Sequence, residues 1–263
     1  MHRRIWLMIP ALAVLAALPA RGAERYTFTE DLKGDVNDYT VKGTVLTDGS
    51  RYRAELEDTR HTLPEVVISK DGGEHETALC PGNRTWYTMG QKKSSTGPWS
   101  ATSRLFLLMP FLDRLKVKKI ETATSEVDEP ETFQGRPVRR HRIRLVYDLE
   151  GHLPVERIRG KVRLEASFWM AEDLDLPLPK MLRPQIRTTL PEIDPWLSGE
   201  IAKLKGTPLR QEWTVSTESK QGTPQSHTTT KTISFLGPAA VTPALFEIPA
   251  GYHYEEPVFQ GPG

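Results

Sequence analysis

Six histidines follow residue 22: His61, His75, His141, His152, His227 and His253. A protein zinc site needs ligands at short, fixed spacings, such as two histidines one helical turn apart or histidines set with cysteines. None of the six shows that pattern. Lys70-Asp71-Gly72-Gly73 lacks the Gly-Lys-Ser/Thr continuation of a phosphate-binding loop and reads as a turn. No Gly-x-Ser-x-Gly nucleophile elbow occurs. Glu55 and Glu57 share a strand face with Arg51 and Arg53, so a surface ion-pair ladder is expected there, not an acid–base pair. Cys80 is the only cysteine, which excludes an intrachain disulfide. Beside Leu79 in a strand pattern, it reads as a small buried hydrophobe. The expectation is a non-enzyme, with no catalytic residue, no metal ligand set and no cofactor.

The chemistry that the chain does offer is apolar and cationic, and it centres on residues 136–170. These predict a long β-hairpin. On the first arm Arg140, Arg142 and Arg144 fall on one face, and Ile143, Leu145 and Tyr147 on the other. Beyond a turn over 149–154, Arg157, Arg159, Lys161 and Arg163 share one face, with Ile158, Val162, Leu164, Ala166 and Phe168 opposite. Successive strand side chains point to opposite sides, so the ribbon has one oily and one cationic surface. The oily side needs a cover or an occupant. The cationic side either meets lipid head groups or is neutralised by glutamates on neighbouring strands; the near-neutral total favours the latter.

Composition narrows the class further. The 263 residues include 40 Gly and Pro, which suits a single β-rich domain with many turns. Arg3 and Arg4 precede an apolar run over 5–18, and Ala20-Arg21-Gly22 offers small residues for cleavage. This predicts a secretory signal peptide over 1–22, too short for a stable membrane span. No other stretch approaches the length of a transmembrane segment, and a periplasmic location is expected. Removing Arg3, Arg4 and Arg21 leaves 32 Lys and Arg against 34 Asp and Glu, a net charge of −2 that argues against a nucleic-acid partner.

The elements that must position the hairpin follow in order. Residues 25–90 alternate as an antiparallel meander, with Asp48-Gly49 and Pro81-Gly82-Asn83 as turns. Leu105, Leu108, Met109 and Leu112 are spaced for a helix, and Phe106, Leu107 and Phe111 make it oily on its other sides as well. Pro110 should kink it, and either an ordinary core helix or a lid over a cavity fits. Residues 117–127 predict a strand. Residues 174–190 alternate leucines with prolines and predict a long loop with an oily side, packed down or acting as a second flap. A second helix is expected after Asp194-Pro195, with Asp194 as cap, Gly206 at its end and Leu197, Ile201 and Leu204 as its stripe. Two strands close the chain, over 207–218 and 225–235, and the tail over 255–263 is expected to be loose.

Three motifs in this order carry a resemblance: Thr47-Asp48-Gly49-Ser50-Arg51-Tyr52-Arg53, Leu204-Lys205-Gly206-Thr207-Pro208-Leu209-Arg210, and Leu245-Phe246-Glu247-Ile248-Pro249-Ala250-Gly251-Tyr252. With the layout over residues 25–252, the chain resembles the LolA/LolB/RseB-like superfamily, and most nearly its outlying bacterial families of unassigned function. The resemblance implies an α+β fold over 23–254: a large curved antiparallel sheet, half-barrel-like, with lid-like helices on the concave side. It also implies an extracytoplasmic carrier or sensor of lipid or acyl groups. The expected site is an apolar cavity with Ile158, Val162, Leu164 and Phe168 as floor and Leu105, Phe106, Leu108, Met109 and Leu112 as cover. The expected partner is a lipid or acyl-chain ligand, with an envelope protein as a further partner. The alternatives are a regulatory sensor acting by protein–protein contact and an enzyme of unknown class.

Overall fold

The computed structural model describes residues 22–35, 38–59, 63–89, 115–152, 157–188, 190–219 and 224–256. Most of the expected signal segment, the expected cover helix over 105–112 and residues 257–263 of the tail lie outside the described residues.

The described chain is mainly one large, curved, antiparallel sheet that does not close into a barrel. The alternating N-terminal segments form six strands: β1 (Glu24–Gly34), β2 (Tyr39–Asp48), β3 (Arg51–Asp58), β4 (Val66–Ser69), β5 (Glu76–Cys80) and β6 (Thr85–Met89). Each pairs with its predecessor, as tight turns dictate. Then come β7 (Leu115–Val127), β8 (Glu131–Phe133), β9 (Arg136–His152), β10 (Arg157–Ala171), β11 (Thr207–Ser219), β12 (Gln225–Pro238) and the short β13 (His253–Tyr254). Across the sheet the order is β13-β6-β5-β4-β3-β2-β1-β12-β11-β10-β9-β7, with β8 beside β9. The first strand is therefore central: it joins the two halves by pairing with β12, from Glu24 opposite Pro238 to Gly34 opposite His227. Only the two-residue β13 runs parallel to its neighbour, β6.

The β9–β10 hairpin has the expected phase. Leu145 stands opposite Leu164, Ile143 opposite Ala166 and Tyr147 opposite Val162, all on the inner face. The first arm runs further than the sequence suggested, to His152, and the second begins at Arg157 as expected. On the outer face the cationic ladder meets acids on nearby strands and turns. Lys161 pairs with Glu121 at 2.7 Å, Arg142 with Asp128 at 2.6 Å, Arg163 with Glu218 at 3.1 Å and Arg144 with Glu165 at 3.4 Å. Neighbouring carboxylates thus offset the charge, as the near-neutral total implied.

The chain's end straps the outer face of the N-terminal half. Val66, Ile68 and Leu79 pack with Trp86, Ile248 and Tyr252 in a second, small cluster. Phe246 is fully buried, with the Arg51 guanidinium 5.1 Å above its ring.

Among the described residues there is one α-helix, α1 (Asp194–Ile201), with Pro195 in its first turn. It departs from expectation at both ends. Ile193 occupies the cap position, because the Asp194 carboxylate is already engaged by Thr188, accepting from its main-chain N at 2.7 Å and its hydroxyl at 2.8 Å. The helix stops before Gly206, which instead leads into β11 with φ +83° and passes directly over the Ala171 carbonyl, where no Cβ fits. Leu197 is fully buried, while Ile201 and Leu204 are only partly covered. No helix among the described residues is long and apolar enough to cross a membrane.

Candidate functional site

The inner face of the curve is the candidate site. Alternation brings Tyr26, Phe28 and Leu32 of β1, Tyr52 and Ala54 of β3, and Trp213 and Val215 of β11 to this face, beside the oily side of the hairpin. Of the expected floor residues, Val162, Leu164 and Phe168 lie together in this core. Ile158 belongs to β10, but its side chain lies outside the described residues, as do the expected cover residues Leu105, Phe106, Leu108, Met109 and Leu112.

What lies against the described inner face is the proline-interrupted segment 174–190, followed by α1, whose Leu197 joins the same cluster. Leu174, Leu176, Leu178, Met181, Leu182 and Ile186 are all buried in the same cluster as the floor. Prolines deny the segment a ladder or an α-helix and leave it one 3-10 turn over Lys180–Leu182, so most of its main-chain polar groups need other partners. Side chains of the sheet and its turns supply them. The Tyr26 hydroxyl donates to Pro177 O at 2.9 Å, and Gln211 Nε2 donates to Leu182 O at 2.5 Å. Lys231 Nζ donates to Met181 O, and Thr207 Oγ1 accepts from Leu176 N at 2.9 Å. Glu76, itself buried, accepts from Lys180 N at 2.7 Å and from the Tyr52 hydroxyl. The segment also braces itself, with Arg183 Nε donating to Leu178 O at 3.1 Å and the same guanidinium donating to Gly72 O.

Burial dominates the titration behaviour here. Desolvation pushes the Tyr26 hydroxyl well above the usual range, only partly opposed by Arg183. Tyr52 is pushed up by burial first and by the Glu76 carboxylate second. Both stay neutral donors across the physiological range. A small cavity lies beside Glu76, between Ala54, Leu56, Val67, Met89, Pro179 and Met181. Its volume is about 10 Å³, roughly one water molecule.

Several side chains on this face escaped the sequence reading. Glu30, Gln211, Thr229 and Lys231 occupy inner-face positions in strands whose other inward residues are apolar. Lys231 Nζ lies 3.4 Å from the Glu30 carboxylate and 5.1 Å above the Trp213 ring, and the Tyr39 hydroxyl donates to Glu30 at 3.0 Å. The signal was present: extending the Tyr26, Phe28 phase by one step lands on Glu30.

Elsewhere, Asp71, Glu74 and His75 bring ligand-type atoms within 4.8 Å of one another and could contact a cation. They are exposed, and Asp71 already serves its turn. Its carboxylate accepts from His75 N at 3.0 Å and Ser69 Oγ at 2.9 Å, and hydrogen bonds from His75 hold it well below the usual carboxylate range.

No protein-family model matches this chain, and no curated protein matches its sequence. Among solved structures, a DUF1329 family protein from Desulfovibrio piger ATCC 29098 aligns over 86% of this chain and 90% of its own. The two share 11% sequence identity at a TM-score of 0.31, a likeness of extent that carries no argument about function.

Proposed function

We propose that this protein binds a lipid-like, apolar ligand without transforming it, between the inner face of the sheet and the segment 174–190, which packs on that face. The observation that carries this reading is the nature of the filling. A sheet face of this extent is ordinarily covered by helices or a second sheet. Here an irregular leucine–proline segment covers much of it, held by main-chain carbonyls on sheet side chains and by apolar contact. Such a cover can be exchanged for an acyl chain with little loss, because the chain would meet the same apolar floor at Val162, Leu164 and Phe168. The cavity beside Glu76 is too small for an acyl chain, so a ligand entering there displaces the segment. The signal-like residues 1–22 and the layout resembling the LolA/LolB/RseB-like superfamily support a periplasmic carrier over a cytoplasmic one.

The test is mass spectrometry of organic extracts from the natively purified full chain, with titration of the delipidated protein by a fluorescent fatty-acyl probe. A reproducible bound lipid and saturable probe uptake are expected. A clean extract and no uptake refute the reading. The tightly filled inner face also suits a regulatory sensor that works by protein contact; a clean extract with a stoichiometric envelope protein co-purifying would favour that second reading.

A further inference from the structure

We infer that the ligand's polar end is read by a recess of Gln211, Thr229 and Lys231 in the inner face, and that this end is an uncharged head offering both a carbonyl oxygen and an N–H or O–H. The inference rests on the binding reading above and specifies its ligand.

The recess spans three neighbouring strands. Gln211 of β11 stands opposite Lys231 of β12, which stands opposite Glu30 of β1. Thr229 lies two residues from Lys231 on the same face. Exposure is 1% at Gln211, 0% at Thr229, 2% at Lys231 and 4% at Glu30. Water therefore does not serve these groups from the surface.

Two donors are engaged by consecutive carbonyls of the filling segment, Lys231 Nζ by Met181 O and Gln211 Nε2 by Leu182 O. A carbonyl only accepts, so the amide nitrogen of Gln211 must face Leu182, and this fixes the direction of its oxygen. That oxygen, Gln211 Oε1, has no hydrogen-bond partner, and neither has Thr229 Oγ1. Two orphaned polar atoms on one buried face are unusual, because each costs on the order of 1–3 kcal/mol. The self-segment thus engages the Lys231 ammonium and the Gln211 amide nitrogen, and leaves unpaired the Gln211 oxygen, which only accepts, and the Thr229 hydroxyl, which both donates and accepts. A head that replaces the two carbonyls and adds a donor hydrogen satisfies the recess better than the chain's own backbone does.

Charge selects further. Lys231 and Glu30 offset each other at 3.4 Å, so the recess is neutral overall. A carboxylate or phosphate head would face Glu30, and an ammonium head would face Lys231, each buried. A primary carboxamide and a monoacylglycerol ester with its free hydroxyls both have the required chemistry.

The test is competition for the full chain loaded with a fluorescent acyl probe at pH 7.5. The competitors share one chain: oleamide, monoolein, methyl oleate, which has a carbonyl but no donor, and oleate, which is charged. Oleamide or monoolein, whichever source the recess accepts, should compete at least about tenfold better than methyl oleate and oleate, the effect of one buried hydrogen bond. Thr229→Val removes an unpaired hydroxyl and should fold as well as wild type by urea titration. Together with Gln211→Leu it should bring the preference to about onefold. Equal competition by all four, or a preference that survives both substitutions, overturns the recess but not the apolar site. Failure of the wild-type chain to take up any probe overturns both.

Discussion

Replacing Lys231 by methionine removes a charge from a place where its partner cannot reach water. Glu30 is 4% exposed, and once the ammonium 3.4 Å away is gone its carboxylate keeps the Tyr39 hydroxyl at 3.0 Å. Breaking a buried pair from one side costs about 3–5 kcal/mol. An independent limit comes from protonation, since the variant can fold with Glu30 neutral. An unfolded glutamate titrates near about 4.3, so binding that proton at pH 7 costs about 3.7 kcal/mol. The two figures agree. The second also fixes a sign: the variant's folded state binds a proton that its unfolded state lacks above about pH 4.3, so its stability falls as pH rises. The deficit against wild type should shrink by about 1.4 kcal/mol per pH unit from pH 7 to pH 5. Glu30→Gln added to Lys231→Met should recover most of the loss and flatten its pH dependence. Urea unfolding followed by tryptophan fluorescence at pH 5, 6, 7 and 8 reads this, because Trp213 lies against the pair. A single variant within about 1 kcal/mol of wild type at pH 7, or a deficit that ignores pH, would refute the account of a buried, mutually dependent pair.

Gly206→Ala forces a Cβ against the Ala171 carbonyl at φ +83° and should destabilise by about 2 kcal/mol or more, read by chemical denaturation. Leu182→Ala empties a fully buried position of the filling segment and should cost about 2–5 kcal/mol, with faster amide exchange over 174–190 than in β1. Arg144→Ala cuts an exposed pair with Glu165 and should change stability by less than about 1 kcal/mol in the same assay. Burial pushes His141 below the usual histidine range, and its Nε2 has no partner, so folding disfavours the protonated ring. Stability should therefore decline as pH falls below about 6.5, and His141→Gln should lessen that decline in thermal melts from pH 7 to pH 5.

The sheet was legible because strand alternation is local. Tyr26, Phe28, Tyr52, Ala54, Leu145, Leu164 and Phe168 all sit on the side that their phase assigns. The β1–β12 pairing was not legible, since nothing near residue 30 names residue 231 as its neighbour. Prolines marked 174–190 as irregular, but whether it flapped or packed depended on Tyr26, Gln211 and Lys231 meeting its carbonyls across the fold. The inner polar group was hidden for another reason. A threonine-rich strand reads as a solvated surface, so Thr229 and Lys231 drew no attention on a face expected to be apolar. Asp194 failed as a cap because Thr188, six residues earlier, takes its carboxylate.

Placing the first strand mid-sheet also constrains how the chain can be made. As it emerges, β1 can pair at once with β2, but its other edge must wait for β12, whose residues appear about two hundred positions later. Until then a long row of amide groups stays open to strangers, and closing it spans nearly the whole chain, a topology that folds slowly. A fragment ending before residue 225 should therefore clump where the full chain does not, and a holding chaperone would find its natural target along residues 24–34.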